Sequence, residues 1–342
     1  VKPSEHAPRT QAALLELAVE AGLPPGALRW TEATRSAGAR LITEHELDHV
    51  VFTGSTAVGC EIARTLAERL IPSTLELSGR DSALVLADAD PAHAAARLWR
   101  ALTANAGQTC MAPRRILAEP PVYAPLVREF ERLAHATKPA HLISAEAAAR
   151  VRTLVDEAVR AGARALSAPA PESADPRIAP VVAVVDCPEH AALVDGDHFG
   201  PAAALVPVRD LEHALAIHDR IGQHLATSIF TRDHHRAADL APRLRSSHVT
   251  INDVVTPTAH PAASLGGHRA SGWGVSRGRA GLLAMTRAVT ISRPAGPVRL
   301  PSDVPDDRTL TRLRAFLGLR YGGPRWKRLA DPASIAPAPA NP

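Results

Sequence analysis

Short apolar runs alternate with stretches of helical spacing along most of the chain. Ala12 to Val19 repeats with helical spacing up to Gly22, a C-terminal cap. Pro24-Pro25-Gly26 then breaks the chain before a short strand expected at Ala27–Trp30. Val50-Val51-Phe52 forms an apolar strand running into Thr53 and Gly54, and Thr56 to Leu70 follows as a helix with Ile62, Ala63, Leu66 and Leu70 on one face. Strands are expected at Ser73–Leu77 and Ala83–Leu86, and Asp90 followed by Pro91 reads as an N-cap with proline at the first helical position. That helix runs through Leu98 and Trp99 and fades near Asn105-Ala106-Gly107. Helices near 121–137 and 144–161, strands at Val181–Val185, Ala203–Val208, Thr227–Phe230 and Val249–Ile251, and helices opened by Asp210 and Asp233 complete the pattern. This alternation predicts an α/β fold with a mostly parallel, doubly wound sheet. Residues 262–281 are dense in Gly and Ser and read as a structured loop, and Ser334 to Pro342 reads as disordered.

Composition narrows the class. The 342 residues are 46% hydrophobic and 22% charged, the balance of a globular chain. No apolar run reaches the length of a membrane span, and the start, Val1-Lys2-Pro3-Ser4-Glu5, has no signal core. Three cysteines (Cys60, Cys110, Cys187) make neither a disulfide scaffold nor a four-cysteine zinc site, which points to a reducing cytoplasm. The net charge is +4, and residues 301–342 hold seven basic groups against four acids. The rest is near neutral, which argues against nucleic-acid binding. In the basic tail Leu310, Leu313 and Leu317 share a helical face beside Arg312, Arg314 and Arg320. Two readings fit: contact with an anionic membrane surface, or a solvated helix docked on the body.

Several segments could carry chemistry. His45-Glu46-Leu47-Asp48-His49 matches the zinc-hydrolase spacing, but the strand pattern beginning at Val50 leaves room for about one helical turn, so no metal site is expected. Gly54-Ser55-Thr56-Ala57-Val58-Gly59 lies between strand and helix, where backbone amides and the helix dipole suit a phosphate. Its spacing fits neither the phosphate-loop nor the G-x-G-x-x-G pattern, and a plain turn is the competing reading. Cys110 follows a helix and reads as either an inert filler or a nucleophile. Glu76 is an acid inside an apolar strand, either exposed at an edge or held at a raised pKa. Asp197-His198-Phe199-Gly200-Pro201 looks like an ordinary turn.

The order of these pieces is informative. Lys2-Pro3-Ser4-Glu5, Phe52-Thr53-Gly54-Ser55-Thr56-Ala57-Val58-Gly59, Leu75-Glu76-Leu77-Ser78-Gly79, Asn105 with Gly107-Gln108-Thr109-Cys110, and Phe199-Gly200-Pro201 resemble successive motifs of the aldehyde dehydrogenase superfamily. Thr250-Ile251-Asn252-Asp253, and Gly266-Gly267 with Ser271-Gly272, extend the resemblance over about residues 1–293, with Asn252-Asp253 and Lys2-Pro3-Ser4-Glu5 closest to the class 3 branch. It implies an incomplete Rossmann-type cofactor domain plus an α/β catalytic domain. The divisions are 1–78 (partial NAD-binding domain), 79–283 (catalytic domain), 284–300 (an oligomerisation strand at Thr286–Ser292) and 301–342 (basic tail).

The roles implied by the resemblance are specific. Cys110 would be the thiol nucleophile and Glu76 the general base that activates water against the acyl-enzyme. Lys2 and Glu5 would hold the adenosine ribose, a Glu there suiting NAD better than NADP. Gly54, Ser55 and Gly59 would form the pyrophosphate turn, and Asp197 and Phe199 would position the nicotinamide ribose and ring. The partners implied are a small-molecule aldehyde and, at full length, a second copy in a homo-oligomer.

The departures are equally specific. The family's N-terminal portion, with the strand leading into Lys2 and an Asn donor to the oxyanion, is not in this sequence, and the first residue is Val, which points to a fragment. Asp197 replaces a Glu, Ser78 a Gly, Arg80 a Lys, and Leu265 a Phe. The alternative to an NAD-dependent aldehyde dehydrogenase is therefore a non-catalytic remnant that acts as a binding or partner-dependent module.

Overall fold

The computed structural model describes residues 1–168, 173–222, 224–255, 260–293 and 306–321. Within the unit Val1–Arg287, two helices, α1 (Pro8–Glu20) and α2 (Arg35–Glu44), precede a strand–helix–strand unit of β1 (Val50–Gly54), α3 (Thr56–Glu68) and β2 (Ser73–Leu77). The chain continues through β3 (Ser82–Val85), α4 (Pro91–Thr103), β4 (Arg115–Ala118), α5 (Pro120–His135), β5 (Ala140–His141), α6 (Ala145–Arg160), β6 (Arg164–Ser167), β7 (Ile178–Ala179) and β8 (Val182–Val185). It ends with α7 (Ala192–Asp195), β9 (Ala202–Pro207), α8 (Leu211–Asp219), β10 (Ala226–Phe230), α9 (His234–Leu240), β11 (His248–Ile251), β12 (Gly272–Trp273) and α10 (Gly278–Ala284).

The main sheet has seven strands in the order β11-β10-β3-β4-β9-β8-β6, parallel throughout except where β6 runs antiparallel to β8. Its five inner strands are buried on both faces, and successive residues feed opposite sides, as period-2 geometry requires. Leu84, Leu117 and Val184 join Val151, Leu193 and Leu240 on one face. Val85, Ile116 and Leu205 join Leu98, Trp99, Leu126 and Phe130 of α4 and α5 on the other. The expected caps hold these helices in place: Asp90 accepts from the amides of Ala92 and His93, Ser144 from Ala147, Asp210 from His213 and Asp233 from Arg236.

A second sheet of three strands, in the order β1-β2-β12, leaves β1 at its edge. β1 pairs in parallel only with β2, and Val51 is 52% exposed. The adjoining α1 buries none of its residues, and Leu14 and Leu17 are more than half exposed. No helix among the described residues is long and apolar enough to cross a membrane.

Four local expectations are corrected. Ala27–Trp30 is not a strand: its contacts are two backbone bonds between residue 1 and Arg29 and Thr31, too few to build a ladder. α2 was not foreseen, because Ala37 is its only buried residue, and it is fixed by the Thr34 cap on the Ala37 amide. α2 ends before His45, so His45 and His49 share no helical face, and His49 bonds Thr74 Oγ1 instead. β4 was also missed, since Arg115 opens a strand that is otherwise apolar.

The second unit, Ala288–Pro342, contains α11 (Asp307–Tyr321), a helix where Leu310, Leu313 and Leu317 had indicated one. Residues 288–293 carry no assigned strand in the single chain, and Val289 and Ile291 are 79% and 89% exposed. Arg325, Lys327, Arg328 and the Ser334–Pro342 segment lie outside the described residues.

Candidate active site

After α4, residues Asn105, Ala106 and Gly107 take the left-handed conformation in succession, with φ of 49°, 55° and 66°. This reverses the chain and delivers Gln108-Thr109-Cys110 beside the Phe199-Gly200-Pro201 turn. A Cβ at Gly107 would meet the Gly200 carbonyl oxygen at 2.5 Å, so the two loops approach as closely as they do only because residue 107 is glycine. The loop is tied internally: Asn105 Nδ2 donates to the Gln108 carbonyl, Gln108 Nε2 donates to the Asn105 carbonyl, and Gln108 Oε1 accepts from the Ile143 amide at 2.9 Å.

Beneath the loop lies Arg114, 1% exposed. Its guanidinium donates to the carbonyls of Gly107 at 2.8 Å, Gly200 at 3.0 Å and Thr109 at 3.0 Å. It also stands 5.6 Å from the centroid of the Phe199 ring, and the charge of half-buried Asp197 acts on it. Burial lowers its pKa to about 10, so it stays protonated at neutral pH. One cation thus joins the cysteine loop to the Asp197–Pro201 turn. Sequence reasoning missed Arg114 because Arg114-Arg115 reads as an exposed basic pair. The strand-like run that follows at Ile116-Leu117-Ala118 was the signal available.

Cys110 is half-buried and packs with Met111, Leu225, Ala226 and Leu265. Burial pushes its pKa up, and the negative charges of Asp81 and Glu76 push in the same direction. Glu76 sits on β2, opposite Gly272 of β12, and accepts a hydrogen bond from Ser276 Oγ. Burial raises its pKa against the opposing attraction of Arg277. The fold therefore brings a thiol and a partly desolvated carboxylate within electrostatic reach of each other. Asp81 is a second buried carboxylate, absent from the sequence-based candidates. It accepts from the Leu225 amide at 2.9 Å, and burial raises its pKa to about 8.

The remaining candidates cluster around β1 and α3. Gly54 ends β1, and Ser55 caps α3 by accepting from the Val58 amide. At Gly59 a Cβ would stand 2.4 Å from Leu77 Cδ2, so this glycine sets how closely α3 packs on β2. Lys2 Nζ and Glu5 Oε2 are 3.3 Å apart, and Arg35 Nε donates to Glu5 Oε1 at 3.0 Å. The backbone amide of Glu5 and the Arg35 guanidinium lower the carboxyl pKa to about 2. In chemical terms the α3 N-terminus offers amides of the kind that suit phosphate, and Lys2 and Glu5 offer an ammonium donor and a carboxylate acceptor of the kind that suit hydroxyls. Glu5 would exchange Arg35 for those hydroxyls.

Comparison with known proteins gives a consistent result. The aldehyde dehydrogenase family model matches residues 1–291. Coniferyl aldehyde dehydrogenase from a Pseudomonas species is 30% identical over 332 residues, covering 93% of this chain and 68% of that protein. The structure of Mycobacterium tuberculosis aldehyde dehydrogenase complexed with NAD+ superposes with a TM-score of 0.74 at 30% identity, over 80% of this chain and 58% of that one. NADP-dependent glyceraldehyde-3-phosphate dehydrogenase from Bacillus halodurans, complexed with NADP, gives 0.74 at 28% identity, over 80% and 59%. The chain thus spans about 58% to 68% of the length of these proteins.

Proposed function

Because the chain belongs to the aldehyde dehydrogenase family, we propose that it carries the thiol and carboxylate machinery for oxidising an aldehyde to a carboxylic acid, with NAD as the hydride acceptor. The observation that carries this is the placement of Cys110 on a loop clamped by Arg114, with Glu76 close enough for its charge to raise the thiol's pKa.

Cys110 Sγ, once deprotonated, bonds to the aldehyde carbon and gives a thiohemiacetal. The Cys110 amide is the chain's own candidate donor to the resulting oxyanion. When bound, the nicotinamide dinucleotide accepts the hydride that leaves this carbon, and the carbon becomes a thioester on Cys110. Glu76 takes a proton from water, which adds to the thioester carbon and releases the acid and the free thiol. The raised pKa of Glu76 makes it a stronger base than an exposed glutamate. The α3 N-terminus would hold phosphate, and Lys2 and Glu5 would hold ribose. An ionised Glu5 repels a 2′-phosphate, which supports NAD over NADP. Asp197 and Phe199, fixed through Arg114, would position the nicotinamide end. In a reducing compartment such as the cytoplasm Cys60, Cys110 and Cys187 remain free thiols.

A second reading, a partner-dependent module without activity of its own, is favoured by the open β1 edge and the unburied α1. One experiment separates the two: NADH formation by the chain over short and long aldehydes, with Cys110→Ser as control. Turnover that disappears in the control supports the enzyme. A folded chain without turnover supports the module.

A further inference from the structure

At the C-terminal end of α8 the chain places His218 and Asp219 in succession, and it returns with His224 just before β10. The two imidazoles stack with centroids 4.0 Å apart and 24° between their planes. One potential ligand atom from each of the three residues lies within 4.8 Å of the other two. His218 is fully buried, His224 is 3% exposed, and Asp219 reaches the surface.

The hydrogen bonding around the two rings favours metal coordination. His218 Nε2 lies 2.9 Å from the Leu244 carbonyl, which only accepts, so Nε2 carries the proton and Nδ1 the lone pair. That Nδ1 faces Ser82 Oγ at 3.1 Å. An imidazole whose N–H is held by a backbone carbonyl, with the other nitrogen left basic, has the arrangement typical of a metal ligand. His224 buries Nδ1 with no hydrogen-bond partner among the described residues. Such an atom is costly to bury and needs a reason.

We propose that His218, His224 and Asp219 form a site for a divalent transition metal of the zinc class, distinct from the Cys110 centre, with Ser82 Oγ or water completing the coordination. Two imidazoles and one carboxylate suit zinc better than magnesium or calcium, which favour all-oxygen sites. Tetrahedral zinc with bonds near 2.0–2.1 Å holds its ligand atoms about 3.3 Å apart, so atoms lying within 4.8 Å of one another close by at most about 1.5 Å. Asp219, at the surface, is free to make that movement. The cations nearby set the affinity: Arg115 acts on both rings, and His268 and Arg269 act on His224. Arg115 is itself countered by Asp195 and Asp81. The remaining positive field works against cation binding. A bound ion would fasten the end of α8 and the entry to β10 against Ser82 of β3. Leu225, next to His224, packs in the cluster that contains Cys110, so the ion would stiffen the support of that site.

Cobalt serves as the spectroscopic probe and zinc as the competitor, using the full chain without an affinity tag. The expected result is about one equivalent of Co2+ giving d–d absorption with no thiolate charge-transfer band, displaced by Zn2+. Asp219→Asn weakens binding about tenfold or more, and His224→Gln abolishes it. Because Asp219 is exposed, the first variant keeps its fold even where the second does not. No cobalt binding, a thiolate band, or a cobalt affinity unchanged by Asp219→Asn would overturn the site.

Discussion

Replacing Arg114 with methionine tests whether one buried cation organises the nucleophile loop. The side chain makes three bonds to carbonyls, from 2.8 to 3.0 Å, and two of its acceptors lie on the cysteine loop. A hydrogen bond from a charged donor contributes about 1.5–3 kcal/mol, and each buried carbonyl left without a donor costs about 1–3 kcal/mol. Against this, the variant no longer desolvates a guanidinium, whose burial outweighs the pull of Asp197 and Asp81 and takes the pKa down to about 10. Removing one member of a buried charged network costs about 3–5 kcal/mol in comparable cases, and that is the destabilisation expected here. Arg114→Lys keeps the charge but not the fork, so it should fall between the two. Urea unfolding measures the loss, with an unchanged m-value showing that only the native state has been altered.

Alkylation of Cys110 reports on the loop itself in a Cys60→Ser background. Cys187 stays silent, because it is buried and its pKa is pushed up to about 12. Loss of the nearby cation should move the pH midpoint of alkylation up, and loosening of the loop should raise the plateau rate at high pH. An Arg114→Met protein within about 1 kcal/mol of the original, with both alkylation parameters unchanged, would refute the role given to Arg114.

Gly107→Ala should cost several kcal/mol and Gly22→Ala only about 1–2, the ordinary penalty for a left-handed alanine, because only at 107 does the new Cβ strike backbone, at 2.5 Å; paired urea titrations compare them. Glu76→Gln should speed Cys110 alkylation at pH 8, since removing a negative charge lowers the thiol's pKa; a slower variant contradicts the proximity of the two groups. Asp81 has its pKa raised to about 8 in the folded chain, against about 3.9 when unfolded. The native state therefore holds a proton that the unfolded state lacks, and stability declines as pH rises from about 4 to about 8. Asp81→Asn, whose Oδ1 still accepts from Leu225, should gain on the original across that window, which unfolding midpoints at pH 5, 7 and 9 will show. In amide exchange, Val50–Gly54 of β1 should lose protection well before Ser82–Val85 of β3, because β1 has one neighbouring strand and β3 has two.

Five of the seven main-sheet strands, β3, β8, β9, β10 and β11, were legible as apolar runs, and the helices begin at strong caps such as Asp90, Ser144, Asp210 and Asp233, whereas β6, an edge strand with two exposed residues, was not read. β4 hid behind Arg115, a charge that a hydropathy pattern places outside, although it is fully buried and bonded to the Ile217 and Arg80 carbonyls. α2 hid for the opposite reason: with one buried residue it has almost no apolar stripe, and tertiary contacts from Arg35 to Glu5 and from Arg69 to the carbonyls of Ile42 and His45 fix its ends. Cys110 and Glu76 were nameable from motif order. Their surroundings were not, because Arg114, Asp81 and Ser276 reach the site across 29 residues or more from one or the other. Sequence spacing contains no trace of such encounters.

The two parts of the candidate site rest on unequal foundations. The cysteine loop is anchored in the seven-stranded sheet, where Arg114 adjoins β4 and Asp81 adjoins β3, and both strands are buried on both faces. The dinucleotide end rests on three strands, with β1 half-exposed along its length and α1 held by no buried side chain. Cofactor binding must therefore supply ordering free energy at the β1 end in addition to its own contacts, and this lowers affinity before it touches chemistry. A strand added along the β1 edge would cover Val51 and provide the pairing that β1 lacks, with little reason to disturb Cys110. Under the proposed function, the thiol's reactivity and the affinity for a dinucleotide would be separable: the first rests on the buried seven-stranded sheet, the second on a sheet that gains most from being extended.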